Sequence, residues 1–359
     1  MSVQIQAVFI FLTSLGVAVI LMPRLARIGT QIGLVDRPNS RKVHRRSKPL
    51  VGGLGMILAF AMSCILYVPL TGMRGFFAGV VLLFVIGLLD DYKEMGHRWK
   101  FVGQVIAALL MMSLSDVYLS NFGNLLYMGD IHFGLLALPL TVFCIVGLTN
   151  AINMIDGLDG LAGGVSLVAF IAFAILSYMG EQWNYFFIAL ALAGAALGFL
   201  RYNWRPAKIF MGDAGSLFLG FALVYLSIIM TQGASSFVRP VVPLLILAVP
   251  ITDTITLMTK RVMAGKSPFH ADSYHLHHIL IRMGLSKRMA VVSILFVSTL
   301  FALTAVLGTV FSIPDYYLFL SFMVYFIIYF ATSFYLKQIL RLLRRSRVRA
   351  RMQIVMMKN

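Results

Sequence analysis

The sequence predicts an all-α, polytopic integral membrane protein, and three observations support this fold class. Of the 359 residues, 60% are hydrophobic and only 12% are charged, which is unlike a soluble domain. Apolar runs of about 20 residues, the length that crosses a bilayer as a helix, recur along the whole chain. No polar stretch is long enough for a separate soluble domain. Residues 1–336 are therefore predicted to form a single transmembrane domain.

Eleven apolar stretches are predicted to cross the membrane. The first has no Lys or Arg before it, whereas Arg24 and Arg27 follow it. A cleaved signal peptide has the opposite order, so this stretch is predicted to be a retained helix. Polar groups lie near the ends of the fourth and ninth stretches. In chain order the predicted spans are 3–22, 50–70, 75–90, 101–119, 133–149, 160–179, 185–201, 214–231, 241–260, 289–312 and 316–336.

The basic residues predict the orientation of these spans. All but two of the 30 Lys and Arg residues lie after odd-numbered spans or in the C-terminal tail, and the exceptions are Arg74 and Arg239. Under the positive-inside rule the basic loops are cytoplasmic, the N-terminus lies outside and the C-terminus lies inside. Residues 337–359 are a basic cytoplasmic tail, predicted either to lie as a helix on the inner leaflet or to act as a stop-transfer anchor.

The net charge of +17 is therefore expected on one side of the membrane. Such a field suits anionic membrane lipids and attracts a polyanionic substrate from the cytoplasm. No nucleic-acid-binding module is present, so nucleic acid is not predicted as a partner. Cys64 and Cys144 lie within apolar runs, which disfavours a disulfide framework or a cysteine metal site.

Acidic residues are scarce and are unevenly distributed. Of the 13 Asp and Glu residues, four fall on the predicted outer side. Carboxylates on a basic face are typical of a magnesium and phosphate site, in which the carboxylates hold the cation and Lys or Arg holds anionic oxygens. The nine on or near the cytoplasmic face are Asp36, Asp90, Asp91, Glu94, Asp156, Asp159, Asp213, Asp253 and Asp272.

The first acidic pair, Asp90 and Asp91, ends the third span. Adjacent carboxylates repel, so a raised pKa or neutralisation by a cation or a Lys is expected. A plain helix end facing water is the alternative. Lys100 opens the fourth span, where it either holds a phosphate near this pair or extends from the helix end to the membrane surface.

The stretch from Thr149 to Gly164 lies between two long apolar runs, yet it carries two Asn and two Asp. Asn153, Asp156 and Asp159 are spaced by three, which on a helical turn would place them on one face. Several glycines allow the backbone to bend and a large group to approach. A binding site is the favoured interpretation, and a polar loop between two helices is the alternative.

Asp213 precedes the eighth span in the sequence I-F-M-G-D-A-G-S. If a helix starts near Ala214, Asp213 is predicted to be its N-cap, and the free N–H groups of the same helix start could bind a phosphate. Asp253 lies one or two turns into the ninth span. It is predicted to pair with a Lys or Thr and to be structural.

A histidine-rich loop, S-P-F-H-A-D-S-Y-H-L-H-H, lies between the ninth and tenth spans. His275 and His278 are predicted to share a helix face, with His277 beside them and Asp272 near. Recognition of an anion or a sugar by imidazole hydrogen bonds is favoured over a metal site, because zinc ligands are usually better separated and no Cys joins them.

Together these motifs predict a site at the cytoplasmic edge of the membrane, where one substrate is a lipid and a magnesium ion bridges a diphosphate. A P-loop is absent, which disfavours ATP hydrolysis, and no G-x-S-x-G motif is present for a serine hydrolase. Four motifs, L-L-D-D-Y-K, N-A-I-N-M-I-D-G-L-D-G-L, I-F-M-G-D-A-G-S and H-L-H-H, occur in this order. They resemble the polyprenyl-phosphate N-acetylhexosamine 1-phosphate transferases, which are also called the glycosyltransferase 4 family. The resemblance extends from Pro49 to Ser286.

Within that family the chain is most similar to the branch that makes undecaprenyl-diphospho-N-acetylglucosamine. The peptidoglycan branch has an unbroken triple histidine, whereas Leu276 interrupts it here. The resemblance implies transfer of GlcNAc 1-phosphate from UDP-GlcNAc to undecaprenyl phosphate, with Mg²⁺ as cofactor and Mn²⁺ as a substitute. It also implies a multi-pass protein of the bacterial cell inner membrane, with an active site facing the cytoplasm, that starts a glycan such as O-antigen, enterobacterial common antigen or teichoic acid. A homodimer is a further hypothesis.

The resemblance also implies a role for each site residue. Asp213 is expected to be the principal magnesium ligand, joined by Asn153, and Asp90 and Asp91 are expected to act near the lipid phosphate, one of them as a base if one is needed. Lys100 is expected to hold phosphate. The nucleotide-sugar is expected to contact Asp156, Asp159, Asn203, Phe210, which stacks on the base, and His275, His277 and His278.

Three other functions remain open on the residues alone. The first is the same reaction with another UDP-N-acetylhexosamine, such as UDP-N-acetylfucosamine. The second is a transporter or flippase for lipid-linked sugar, which should carry polar groups at the bilayer midplane. The third is a magnesium channel, which predicts acidic residues on both faces of a pore.

Overall fold

The computed structural model describes residues 2–36, 47–70, 72–93, 95–233, 236–267 and 275–356. Glu94 and Asp272 lie outside these ranges. The described chain is mostly helical, and a 3₁₀ turn, Gly134–Leu136, precedes α5. The α-helices are α1 Val3–Gln31, α2 Gly52–Tyr67, α3 Arg74–Lys93, α4 His97–Ser115, α5 Ala137–Ile155, α6 Leu161–Met179, α7 Trp183–Asn203, α8 Gly212–Ile229, α9 Val241–Ile246, α10 Ala248–Met263, α11 Leu276–Arg282, α12 Lys287–Val310 and α13 Asp315–Met356.

The predicted all-α membrane fold is confirmed. Every predicted span contains a helix, and eight helices in the described ranges are long and apolar enough to cross a membrane. Helix α4 is not among these eight, because its first turn carries His97, Arg98 and Lys100. Helix α13 continues without interruption from the last predicted span into the basic tail. Cys64 and Cys144 are both free cysteines.

The ninth predicted span is broken into α9 and α10 at Leu247, which has φ −104° and ψ 18°. The reason lies in the next turn. Pro250 has no N–H, so it cannot donate a hydrogen bond to the carbonyl of Ile246 one turn before it. A proline is tolerated in the first turn of a helix, where no such bond is needed. A new helix, α10, therefore begins at Ala248, with Pro250 in its first turn.

Helix α8 lies at the centre of the bundle. It packs against α2, α3, α5 and α6, and its residues are buried on every side. A helix that is apolar all round is expected in such a position. By contrast, α1 and α13 expose many large apolar side chains, as expected for helices that face lipid. The first turn of α8 is thereby fixed relative to several neighbours.

Two short strands join the start of α2 to the start of α8. Strand β1 (Val35–Asp36) pairs antiparallel with β2 (Lys48–Pro49). The amide of Phe210 donates to the carbonyl of Pro49 at 2.9 Å, and the amides of Gly52 and Gly53 donate to the carbonyls of Phe210 and Met211. The first amides of α2 are therefore satisfied by the segment that leads into α8.

The opposite end of the bundle is held together by Arg239. Its guanidinium group lies 2.9 Å from the carboxylate of Asp315 and donates to the carbonyls of Gly308 and Ile313 at 2.9 and 2.5 Å. One side chain thus links the start of α9, the end of α12 and the start of α13. This cluster lies at the end of the bundle that the basic-residue pattern predicts to be outside.

Candidate active site

Lys100 connects the acidic pair of α3 to the start of α8. Its ammonium nitrogen lies 2.6 Å from Asp90 Oδ2 and 2.5 Å from Asp213 Oδ2. All three side chains are largely shielded from solvent, with exposures of 18%, 11% and 27% for Lys100, Asp90 and Asp213. The expected neutralisation of the acidic pair by a Lys is therefore found at Asp90. Residues 113 positions apart in the chain meet here.

Asp91 supplies the cap of α8. Its Oδ1 accepts a hydrogen bond from the amide of Asp213 at 2.7 Å, and its Oδ2 accepts one from the amide of Ala214 at 3.2 Å. The prediction that Asp213 is the N-cap is wrong, because α8 begins one residue earlier, at Gly212, and Asp213 belongs to its first turn. Amides in the first turn of α8, which have no acceptor within their own helix, therefore donate to a carboxylate of α3.

Gly212 makes this arrangement sterically feasible. Its φ of +71° favours glycine, and a Cβ at this position would lie 2.4 Å from Asp91 Oδ2. With Asp91 directed at the helix start, Asp213 is free to bond Lys100. The two neighbouring acids of α3 therefore differ in role, since Asp90 meets an ammonium group and Asp91 meets main-chain amides.

The acidic loop follows α5, whose last residue is Ile155. Asp156 is the C-cap, with φ −74° and ψ 54°, and Asp159 lies in the turn before α6. The prediction that Asn153, Asp156 and Asp159 share one helical face is therefore wrong. Gly157 and Gly160, which lie between and after the two acids, end the helix before its next turn.

Asn203 holds this loop in place. It is only 3% exposed, its Oδ1 accepts a hydrogen bond from the amide of Gly160 at 2.8 Å, and its Nδ2 donates to the carbonyl of Ile209 at 2.9 Å. Asp159 Oδ2 in turn accepts from the amide of Ala207 at 3.0 Å. These bonds join the loop after α5 to the segment before α8, so Asn203 acts here as a scaffold for the site.

Asp156 lies in an environment that disfavours its charged form. Burial is the main cause, followed by the negative charges of Asp213 and Asp159, and together they raise the pKa of Asp156 to about 7. The acidic loop therefore lies within electrostatic range of Asp213 at the start of α8. A cation at this point would restore the ionised carboxylate.

The three histidines form one cluster at the start of α11. The rings of His275 and His277 are nearly parallel, with centroids 5.5 Å apart, and the rings of His277 and His278 are 4.2 Å apart. His277 is only 2% exposed, and burial together with the charges of His278 and His275 lowers its pKa to about 3. The cluster therefore includes a neutral imidazole at physiological pH.

The cluster lies against the acidic loop. A Cβ at Gly157 would lie 2.5 Å from His277 Nε2, so the imidazole occupies the space that a side chain there would fill. His275 Nδ1 lies 2.9 Å from Asp253 Oδ2. The prediction that Asp253 pairs with a Lys or Thr is wrong, because its carboxylate meets His275, Tyr329 and the amide of Leu276.

Lys48, which the sequence motifs do not include, lies beside one of the predicted site residues. Its ammonium nitrogen lies 4.7 Å from the ring centroid of Phe210, the residue expected to stack on the nucleobase. A cation over an aromatic face is attracted by the ring quadrupole. The family resemblance starts at Pro49, one residue after Lys48, and this proximity was the sequence feature that could have identified Lys48.

The carboxylates fit a divalent metal ion. Asp90, Asp91 and Asp213 each offer an oxygen within 4.8 Å of the others, and the three histidines do not form such a group in the described part of the chain. Asp90 Oδ1 is buried without a hydrogen-bond partner among the described residues, which is costly for a carboxylate oxygen. A hard cation that prefers oxygen ligands suits this donor set.

Comparison with known proteins gives a consistent result. The profile of "Glycosyl transferase family 4" matches residues 73–231. A Bacillus subtilis protein named "Probable undecaprenyl-phosphate N-acetylglucosaminyl 1-phosphate transferase" is 36% identical over 84% of this chain and 85% of its own length. A Haemophilus influenzae protein named "Undecaprenyl-phosphate alpha-N-acetylglucosaminyl 1-phosphate transferase" is 35% identical over 95% of this chain and 98% of its own length. An Escherichia coli protein of that name is 31% identical, covering 89% and 91%.

Proposed function

Because the chain belongs to glycosyl transferase family 4, we propose that it transfers GlcNAc 1-phosphate from UDP-GlcNAc to undecaprenyl phosphate and releases UMP. The relatives named for this reaction align over most of the chain. The observation that carries the proposal is the meeting of Asp90, Lys100 and Asp213 at one end of the bundle, beside the acidic loop and the histidine cluster. Carboxylates and an ammonium group together suit a diphosphate and its counter-ion.

In the proposed reaction, an oxygen of the lipid phosphate attacks the β-phosphorus of UDP-GlcNAc. A new P–O bond forms there, the bond from the β-phosphorus to the bridging oxygen breaks, and UMP leaves with that oxygen and its electron pair. The lipid phosphate is largely ionised at neutral pH, so a general base is not required. Lys100 would hold a phosphate oxygen as the negative charge shifts.

Asp90 and Asp213 would hold Mg²⁺ through oxygens that do not bond Lys100, and Asn153 would add an amide oxygen. Asp90 Oδ1, buried without a partner within the described ranges, supports this assignment. The ion would neutralise charge on the diphosphate. Mn²⁺ would substitute, because both ions accept oxygen ligands. Asp91 is better suited to positioning than to proton transfer, since both its oxygens accept main-chain hydrogen bonds.

The nucleotide-sugar would lie between the acidic loop, Phe210 and the histidine cluster. Phe210 would stack on the base, with Lys48 near the ring, while Asp156 and Asp159 would contact the uridine. The histidine cluster would recognise the sugar or diphosphate by hydrogen bonding, with buried His277 as its neutral member.

The product would start a cell-surface glycan such as O-antigen, enterobacterial common antigen or teichoic acid. We place the enzyme in the bacterial inner membrane with its site facing the cytoplasm, because the Lys and Arg residues are concentrated at the site end of the spans. The homodimer remains a hypothesis, which the mass of the protein in lipid nanodiscs would test.

The decisive experiment uses detergent-purified protein, undecaprenyl phosphate and UDP-[¹⁴C]GlcNAc, with and without Mg²⁺. We expect label in the organic phase and an equal amount of UMP in the aqueous phase, both dependent on Mg²⁺ and both lost in Asp213→Asn. The matched control is Asp315→Asn, which removes a carboxylate from the Arg239 cluster at the other end of the bundle and should retain transfer.

Each other result has a definite meaning. Transfer that survives in Asp213→Asn would keep the enzyme but overturn the metal assignment. Transfer from another UDP-N-acetylhexosamine, such as UDP-N-acetylfucosamine, with none from UDP-GlcNAc would change the sugar. Absence of turnover with every UDP-sugar would favour a lipid-linked sugar transporter and overturn the proposed reaction.

A further inference from the structure

Asp253 is a buried carboxylate that joins three separate segments. It lies on α10 and is only 1% exposed. Its Oδ2 is 2.9 Å from His275 Nδ1, while its Oδ1 accepts hydrogen bonds from the amide of Leu276 at 2.8 Å and from the hydroxyl of Tyr329 at 2.5 Å. A buried carboxylate is stable only when such partners compensate its lost hydration. The amide of Leu276 and the hydroxyl of Tyr329 each direct a proton toward it.

This contact selects one form of His275. An ionised carboxylate has no proton to donate, so the nitrogen facing it, Nδ1, must carry the proton. In a neutral ring the other nitrogen, Nε2, is then an acceptor, and in a charged ring it is a donor. Asp253 therefore determines which nitrogen of His275 is left to meet a substrate, as carboxylates do for other functional imidazoles.

The effect of Asp253 extends beyond one ring. His275 is stacked on His277, and His277 lies against Gly157 in the acidic loop. The same carboxylate bonds the amide of Leu276, the first residue of α11, so it fixes the backbone that carries all three histidines. Displacement of Asp253 would shift the cluster relative to the acidic loop.

We propose that Asp253 is a positioning residue for the transfer reaction, acting through His275, with Tyr329 holding the carboxylate in place. The inference rests on the proposed function, because it assumes that the histidine cluster meets the nucleotide-sugar. A purely structural role for Asp253, as a cap of α11, is the competing interpretation. The two differ in whether the tautomer of His275 matters for turnover.

The informative variant is Asp253→Asn. Its amide oxygen can still accept from Leu276 and Tyr329, so the cap is retained, but its NH₂ group would face His275 Nδ1 and impose the opposite tautomer. We expect kcat to fall by about 10- to 100-fold, by analogy with the loss of a carboxylate that orients a metal-binding imidazole, with Tm nearly unchanged. Tyr329→Phe, which removes one of the three bonds, should reduce kcat less.

Histidine-specific ¹⁵N NMR provides a readout that does not depend on turnover. In the wild type, the His275 signal, assigned by comparison with His275→Gln, should show protonated Nδ1, and in Asp253→Asn it should show protonated Nε2. A double-mutant cycle provides the functional readout. If Asp253 acts through His275, adding Asp253→Asn to His275→Gln should reduce kcat no further.

Asp315→Asn is the matched control, since it also removes a partly buried carboxylate from an ion pair, but far from the cluster. It should affect Tm more than kcat. Additive losses in the cycle, or a kcat for Asp253→Asn close to that of the wild type, would overturn the positioning role. A wild type that transfers no UDP-sugar would overturn the proposed function and the role in transfer together. The NMR comparison would then still decide whether Asp253 fixes the tautomer.

Discussion

The ammonium group of Lys100 is the point at which charges from three helices meet. It bonds Asp90 of α3 and Asp213 of α8 from the first turn of α4. The glutamine variant, Lys100→Gln, keeps much of the length of the side chain but removes its charge. Two carboxylates would then face each other without compensation, and a phosphate oxygen would lose its partner.

We expect Lys100→Gln to lower kcat/KM for lipid labelling by on the order of 100-fold or more, the usual cost of losing a group that stabilises developing charge. Lys93→Gln is the control, because Lys93 is exposed at the end of α3. Equal activities of the two variants would show that Lys100 is an ordinary surface charge.

A second prediction at the residue scale concerns His277 and the stability of the folded protein at acidic pH. Its pKa is lowered from 6.5 to about 3, first by burial and then by the charges of His278 and His275. The unfolded chain binds a proton below pH 6.5 while the folded chain does not, so this contribution to stability is complete above pH 6.5 and is lost as the pH falls.

His277→Gln should therefore flatten the fall in Tm between about pH 7.5 and pH 5. Thermal unfolding in detergent measures this slope, with His97→Gln, at an exposed position in α4, as the control. A slope as steep as that of the wild type would show that His277 does not cause the acid sensitivity.

At the residue scale, the charged groups of the site can be identified from the sequence, but the atoms that they contact cannot. Scarce acid on a basic face indicated a magnesium and phosphate site, and the structure brings two of these acids, Asp90 and Asp213, together at Lys100. The cap role of Asp91 was missed because it depends on a contact between residues 122 positions apart. The partner of Asp253 was missed for the same reason, since neither His275 nor Tyr329 lies on its own helix.

At the scale of elements, the start of α8 is held by a carboxylate and by close backbone contacts. Asp91 accepts from the first amides of α8. Asp91→Asn would leave one of these amides without an acceptor, whereas Asp90→Asn would leave both bonded. We expect Asp91→Asn to cost about 1 kcal/mol of stability, seen as a lower Tm, as well as activity. Asp90→Asn should lower activity with a smaller change in Tm, and the reverse order would contradict these roles.

Glycines let α2 and α3 approach the start of α8. A Cβ at Gly53 would lie 2.2 Å from the amide nitrogen of Gly215, and one at Gly87 would lie 2.4 Å from Ala214 Cα. These neighbours are main-chain atoms, so the added carbon can be accommodated only by moving a helix.

We expect Gly53→Ala to cost about 1–3 kcal/mol of stability and to reduce transfer, because α8 carries Asp213. Gly55→Ala is the matched control on the same helix, since its new carbon would meet the flexible end of the Met22 side chain. Comparable Tm and transfer rates for the two variants would exclude the backbone contact as a constraint.

Apolar run length placed a helix in every predicted span, although only eight helices in the described ranges are long and apolar enough to cross a membrane. It could not predict where helices are interrupted. The break at Leu247 follows from one missing donor at Pro250, and the end of α5 at Ile155 follows from the glycines that succeed it. A count of apolar residues does not register single residues of this kind. Because α5 ends at Ile155, Asp156 and Asp159 do not lie on a helical face.

At the scale of the whole molecule, the prediction concerns which end of the helical bundle faces the cytoplasm. The site residues lie at one end of the bundle, and the Arg239 cluster lies at the other. In a background without Cys64 and Cys144, Lys93→Cys and Tyr127→Cys each place a thiol at an exposed position at one end. A membrane-impermeant maleimide should label Tyr127→Cys in spheroplasts, and it should label Lys93→Cys only after the membrane is opened. The opposite pattern would invert the topology.

The fold class, the helical spans and the gathering of acids at one end were all accessible from composition, run length and charge. The arrangement of helices around α8 was not, because many bundles can bury the same apolar stripes. The contacts that select this bundle, such as those of Gly53 and Gly87, involve residues whose sequence signal is only the absence of a side chain.

The close contacts of Gly53 and Gly87 with α8 also bear on how such proteins diverge. Where main chain touches main chain, no compensating substitution elsewhere can restore the distance, whereas apolar side chains around α8 can exchange volume with one another. Lineages should therefore replace the lipid-facing and core apolar residues freely while retaining glycine at 53 and 87. An alignment of relatives that shows larger residues at these two positions would mean that the start of α8 has moved, and with it the geometry of the site.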